Sequence, residues 1–237
     1  MVHKYLRSIA AVAAATAVAA SVAISAPATA APDISDPITL LPPGFPCIHT
    51  NVYPVPVLDW GWRPIDGEAP RYIEAEGGKG RGYLDLYTTP GGRTNFFHIG
   101  ISTPLSDLLG PESLGFLHSG QTAFQLRITR AESIGDLSGF TTLVWEPAYN
   151  NNAGLNGWVD SNDLARGRWW STKPIAGLEN RDTWLTLDQI SALNPRAQVL
   201  DYGVSVGTAG SQAILGTADD IRYGCARWDF EPFRFGS

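Results

Sequence analysis

An all-β fold, a β-sandwich of jelly-roll type with one or two short helices, is what this 237-residue sequence predicts. Three observations point there. Short runs rich in β-branched and aromatic residues recur from about Trp60 onward, and clusters of Gly, Pro, Asn and Asp separate them. Only two stretches read as helical. Many short strands with turn signals between them argue for two packed sheets or a barrel.

The elements follow in order. Residues 1–30 read as a signal peptide: a basic start (His3, Lys4, Arg7), the apolar run "IAAVAAATAVAASVAI", and a small-residue cleavage site at Ala28-Thr29-Ala30. Cleavage after Ala30 predicts a secreted protein with no membrane anchor in the mature form, since the tail "DFEPFRFGS" carries no hydrophobic stop sequence. Residues 31–58 are proline-rich, and proline cannot donate to a ladder, so extended irregular chain is expected there. The sandwich domain is predicted over 59–237. Its strands are "PRYIEAE", "GYLDLYTT", "NFFHIGI", "AFQLRITRA", "TTLVWEP", "GWVDS", "RWWST", "QVLDYGVSVG" and "ADDIRYG". "TPLSDLLGPESL" reads as a turn or short helix. "TLDQISALNP" reads as a helix, with Thr186 as N-cap, Gln189 as its capping-box partner and Asn194-Pro195 as the stop.

Removing residues 1–30 takes away Lys4 and Arg7 and no acid, so the net charge moves from −6 to −8. An acidic chain without a basic run is a poor partner for nucleic acid or anionic membranes, where neutralising phosphates carries the affinity. Cys47 and Cys225 are the only cysteines. In an exported chain such a pair predicts one disulfide joining the termini of the domain, with up to ~5 kcal/mol from loop closure.

Several catalytic motifs can be set aside. Gly203-Val204-Ser205-Val206-Gly207 spells G-x-S-x-G, but it lies inside a continuous alternating strand, no helix signal follows, and no histidine occurs after His118. His49, His98 and His118 show no metal-ligand spacing, and one partly buried and two surface side chains are expected. "GGKGRG" at 77–82 reads as a hairpin turn, because no helix follows to cradle a phosphate.

Carboxylates and aromatics remain. Glu146 ends an apolar strand beside Trp145 and near Tyr149, so it is the best candidate acid for glycoside cleavage, with Asp160, Asp163 or Asp182 as partner; a strand-end turn is the alternative. Glu74 and Glu76 share one strand face, and Asp219 from the last long strand would complete an oxygen site for structural calcium; solvent-facing acids are the alternative. The chain has eight tryptophans, among them Trp60, Trp62, Trp158, Trp169, Trp170, Trp184 and Trp228. Most are expected in core or rim packing, with two or three available to stack on sugar rings. In "RWWST" strand alternation sends Trp169 and Trp170 to opposite faces, so one ring enters the core and the other faces outward or lies under a loop. Trp158 would meet one of them as a cross-strand pair, making with Glu146 and Tyr149 an aromatic-and-acid surface.

The runs "GFTTLVWEPAYN", "GWVDSNDLARGRWWSTKPI", "WLTLDQISALNPRAQVLDYGVSVGTAG" and "ADDIRYG" together resemble a β-sandwich domain of secreted actinobacterial proteins, over roughly residues 83–224. "ADDIRYG" alone is similar to the last strand of jelly-roll carbohydrate-binding modules. These resemblances imply the jelly-roll fold more than any activity. Three functional readings follow. The favoured one is a secreted, non-catalytic binding protein for carbohydrate or a cell-envelope polymer, with Glu146, Tyr149, Trp158, Trp169 and Trp170 as candidate ligand contacts. The second is a glycoside-cleaving enzyme using Glu146 and a second carboxylate. The third is a structural or interaction protein of the secreted layer with no small-molecule site, which predicts every tryptophan buried.

Overall fold

A computed structural model describes residues 48–51, 61–132, 138–151, 154, 156–179, 181–207 and 212–232. All lie within one compact unit, Ser35–Ser237. The predicted signal peptide, Cys47 and Trp60 lie outside the described residues, and β1 is described by its backbone only.

The strands are, in chain order, β1 (Ile48–Asn51), β2 (Trp62–Gly67), β3 (Arg71–Gly77), β4 (Gly80–Asp85), β5 (Thr94–Pro104), β6 (Leu114–Gly120), β7 (Ala123–Thr129), β8 (Thr141–Trp145), β9 (Val159–Ser161), β10 (Trp169–Ser171), β11 (Gln198–Val206), β12 (Gly216–Tyr223) and β13 (Ala226–Asp229). One α-helix, α1 (Leu187–Leu193), interrupts them. It starts as its sequence predicts: the Thr186 side chain accepts from the Gln189 N–H, and Gln189 reaches back to the Thr186 N–H. The stretch Leu105–Leu108 forms a 3-10 turn.

Two sheets result. The six-stranded sheet runs β10-β8-β7-β11-β5-β2, antiparallel throughout. The seven-stranded sheet is organised around β12. One side of β12 pairs β6, which continues to β9. Its other partners are β4, followed by β3, and β13, followed by β1. The pairing of β1 with β13 is parallel and sets Ile48 opposite Ala226.

Four strands lie where the pattern predicts none. β2 carries Pro64, which an edge strand tolerates because no ladder bond is needed on its outer side. β6 has its first three residues buried in a row, so it lacks the alternation that marks a half-exposed strand. β13 is only four residues long, and β1 shows that part of the proline-rich stretch joins a sheet.

Inward side chains of both sheets fuse into one core. Trp62 stacks on Phe96 at 5.1 Å and meets Tyr202, Trp228 and Phe230 edge-on. Such pairs add about 0.5–1.5 kcal/mol each beyond burial alone. The Trp228 indole donates to the Tyr202 hydroxyl at 2.6 Å, which removes the cost of burying both polar tips. Both His98 and His118 are buried in this core, a correction to the expectation of one partly buried histidine. His98 stacks on Tyr202 and His118 on Phe116. Among the described residues no helix is long and apolar enough to cross a membrane.

Candidate functional site

The outer face of the six-stranded sheet is where chemistry collects. Register makes one straight row across it: Phe97 on β5 lies opposite Gly203 on β11, Gly203 opposite Gln125 on β7, Gln125 opposite Val144 on β8, and Val144 opposite Trp170 on β10. Four strand spacings separate the two end rings, about 19 Å. A neighbouring row sets Asn95 opposite Ser205 and Ser205 opposite Ala123. On the other side Asp201 faces Arg127, and Arg127 faces Thr142.

Two hollows lie along these rows. One, of ≈ 380 Å³, is floored by Gln125, Val144 and Trp170 and walled by Glu146, Arg181 and Gln121. The other, of ≈ 360 Å³, is lined by Phe97, Phe140, Asn95, Arg127, Thr142 and Thr172. They share Gln125, Ser205 and Gly207, so they adjoin across the strands as two halves of one grooved face. Its floor is preorganised, with the Gln125 amide donating to Ser205 Oγ at 2.6 Å. The G-x-S-x-G serine is thus a buried floor residue within β11 and not a nucleophile on a strained turn.

"GRWWST" divides as strand geometry requires. Trp169 is fully buried in the core, and its indole donates to the Leu164 carbonyl at 2.7 Å. Trp170 belongs to the groove face but is 9% exposed, packed with Val144, Ala123, Tyr149 and Trp184. The Arg181 guanidinium lies 4.6 Å from the Trp170 ring centroid. The Trp170 indole N–H meets no hydrogen-bond partner.

Glu146 sits at the end of β8, just before a 3-10 turn over Pro147–Tyr149. Burial pushes its carboxyl above the ordinary carboxylate range, and Arg181, 3.6 Å away, draws it partly back, helped by the Trp170 side chain. Trp170 acts there as a nearby dipole, outside hydrogen-bond geometry. Tyr149 packs on Trp184, with ring centroids 4.9 Å apart.

The structure brings Glu146, Tyr149 and Trp170 together and leaves the other two candidates elsewhere. Trp169 faces the core. Trp158 is no cross-strand partner of either tryptophan, because it precedes β9 in the seven-stranded sheet while β10 belongs to the six-stranded one. Its ring meets Tyr83 edge-on at 5.3 Å. The candidate carboxylates do not line one common hollow. Asp160 and Asp163 line a separate cleft of ≈ 470 Å³, and Asp182 lines neither that cleft nor the groove. In that cleft Asp160 is engaged by Arg222 and Asp163 by Arg166. The Asn150 amide there is spent on the Glu146 and Arg168 backbones. His118 reaches the cleft's Ser161 at 2.9 Å, but burial holds its imidazole down to about 4, so it resists the positive charge a general base must acquire.

The proposed calcium ligands are not assembled. Glu74 and Glu76 are exposed on β3, whereas Asp219 is fully buried. Asp219 accepts from the backbone N–H groups of Lys79 at 2.7 Å, Asp220 at 2.8 Å and Phe230 at 3.0 Å. Among the described residues no three His, Cys, Asp or Glu side chains cluster as a metal site would require. The "GGKGRG" turn has the shape it needs for this contact. Gly78 has φ +61°, and a Cβ there would come 2.5 Å from the Asp219 carboxylate.

No family model matches the chain, and no curated protein matches it. Among solved structures it is similar to one concerned with the promiscuous specificity of carbohydrate-binding modules from the β-sandwich superfamily, at 13% identity and a TM-score of 0.27. That match covers 68% of this chain and 56% of the other, so the chain spans just over half the length of the structure it matches.

Sequence reasoning missed Phe97, Phe140, Gln125, Arg127 and Arg181. For Phe97 a signal was present: "NFFHIGI" holds adjacent phenylalanines, and alternation sends Phe96 inward and Phe97 outward, as it does for the two tryptophans.

Proposed function

We propose that this is an exported, non-catalytic binding protein whose ligand is a polysaccharide laid across the outer face of the six-stranded sheet. The carrying observation is the pair of adjoining hollows, in which Gln125 and Ser205 sit between rings at both ends. Sugars present hydroxyl edges and apolar ring faces together, and a floor of amide and hydroxyl groups between largely covered aromatic rings answers both. In this reading Trp170 and Glu146 are ligand-facing, Tyr149 supports Trp170, and the jelly-roll kinship of the resemblance fits a binding face on one sheet. Export and a Cys47–Cys225 disulfide belong to the same proposal. The Ile48–Ala226 register makes the disulfide reasonable, since each cysteine directly precedes one of those two residues. Titration of the denatured, unreduced protein should find no free thiol.

One observation favours the structural alternative: every described tryptophan is buried or half-buried. Affinity electrophoresis of residues 31–237 against a panel of soluble polysaccharides separates the two. At least one polymer should retard the protein, and Gln125→Ala should abolish the retardation without lowering the melting temperature. Retardation by none of them would leave the structural reading standing.

A further inference from the structure

The cleft of ≈ 470 Å³ opens where the chain crosses from one sheet to the other, between β9 and β10. The 3-10 turn over Pro147–Tyr149 divides it from the grooved face: Glu146 and Pro147 line the nearer hollow, Tyr149 and Asn150 the cleft. Asn150 makes that wall rigid. Its amide donates to the Glu146 and Arg168 carbonyls, and its Oδ1 accepts from the Arg168 N–H at 2.8 Å, which stitches the segment entering β10 to the turn.

Inside the cleft the polar groups are oriented without being used up. Arg222 holds Asp160 through Oδ1 at 2.6 Å, and Arg166 holds Asp163 through Oδ2 at 3.2 Å, so the second oxygen of each carboxylate keeps its acceptor sites. Ser161 Oγ is fixed by His118 Nε2 at 2.9 Å. Among the described residues the Trp145 indole N–H, the Arg168 guanidinium and the Asn151 and Asn162 side-chain amides have no hydrogen-bond partner, and all four residues line the cleft. Trp145 is only 4% exposed. Gly167 keeps its N–H open: a Cβ there would lie 2.3 Å from Trp145 Nε1 and 3.0 Å from Asn150 Oδ1, so any other residue would block the notch between them. A donor on so buried a ring is costly to leave unmet, and an oxygen seated in the notch meets it.

These groups narrow the ligand by elimination. An anion would face Asp160 and Asp163, a cation would face Arg166 and Arg168, and an apolar molecule would leave the open donors and acceptors desolvated and unpaired. A hydroxyl both donates and accepts, so a neutral ring bearing several of them answers the whole set. The volume also lies within the range of ordinary small-molecule sites, about 300–1,000 Å³. We propose that this cleft is a second binding site and that it takes one neutral sugar unit, with Trp145, Arg168 and Asn162 donating to its oxygens and Asp160 and Asp163 accepting from its hydroxyls. The cleft shares no lining residue with either hollow of the grooved face, so the two readings stand or fall separately.

The test is calorimetric titration of residues 31–237 with glucose, galactose, mannose and N-acetylglucosamine, beside glucuronate and glucosamine as charged counterparts. At least one neutral sugar should bind, and more tightly than either charged one. Arg168→Ala with Asn162→Ala, both exposed side chains, should lose about tenfold or more in affinity at an unchanged melting temperature. Gln125→Ala, in the floor of the grooved face, should bind the sugar as the wild type does. An unchanged affinity in the double variant, or a loss in Gln125→Ala as large as in the double variant, overturns the second site. A charged sugar that binds more tightly than every neutral one overturns the ligand class. Silence from all six overturns the proposal and leaves the reading of the grooved face untouched.

Discussion

Replacing Asp219 by alanine should bring the fold to the edge of stability. Its carboxylate is the acceptor for three backbone N–H groups, from the β3–β4 turn, from β12 itself and from Phe230 after β13. Leaving a buried donor unsatisfied costs about 1–3 kcal/mol, so three donors with some relaxation cost roughly 3–6 kcal/mol. A domain of this kind holds only about 5–15 kcal/mol in total. Asp219→Asn is the graded control. An amide oxygen in the Oδ1 position still serves Asp220 and Phe230, but its NH₂ would face the Lys79 N–H, a loss of about 1–3 kcal/mol. Urea unfolding followed by tryptophan fluorescence reads both variants. A loss below ~1 kcal/mol for Asp219→Ala would refute the reasoning. The same experiment bears on calcium: with three of its four lone-pair sites already taken by amides, the wild-type melting temperature should be equal in EGTA and in calcium. A calcium-dependent rise that Asp219→Asn abolishes would instead make this carboxylate a metal ligand.

Three further outcomes are expected. Trp169→Ala should cost about 3–5 kcal/mol by emptying the core, whereas Trp170→Ala should cost distinctly less and act on ligand binding, as paired melting and affinity-electrophoresis runs would show. His118 is held near 4 by burial, below its unfolded value near 6.5, so its contribution is complete above pH ~6.5 and is lost as pH falls toward ~4, by roughly 3 kcal/mol. Asp229, pushed up to about 6 by burial and neighbouring acids, acts with the opposite sign, gaining stability as pH falls through 6. The His118 effect is therefore read as the difference between wild type and His118→Gln across that range, and parallel curves would sink it. Gly203→Ala should fail to fold or melt far lower, because its Cβ would lie 2.1 Å from the Phe96 carbonyl, a backbone atom that cannot swing aside; a soluble variant with wild-type melting would contradict this.

What could be read from the chain was local. The Thr186–Gln189 capping box, the glycine-rich hairpin turn and the opposite facing of Trp169 and Trp170 each depend on residues within a few positions, where backbone period and turn chemistry decide. The site depends on pairing between distant strands, which periodicity does not encode. A cross-strand pair of Trp158 with either tryptophan needs β9 and β10 side by side, yet the segment between them carries the chain from one sheet to the other through a 3-10 turn at Leu164–Arg166, so Trp158 and Trp170 part company. Likewise nothing in "DDIRYG" distinguishes an exposed calcium ligand from a buried acceptor. The distinction lies in Lys79 and Phe230, which come from other strands' ends. The cation over Trp170 was hidden for the same reason, since Arg181 lies outside any strand and its ring neighbour is fixed only by the fold.

The pairing of β1 with β13 also dictates when the sandwich can be finished. It joins residues 48–51 to residues 226–229, nearly the longest sequence separation the described chain offers. A chain made from its N-terminus onward must hold β1 unpaired until residues 226–229 arrive, and contacts of such high order form slowly. Few residues in the waiting strand invite wrong partners: "IHTN" is only four residues long, and His49, Thr50 and Asn51 are polar.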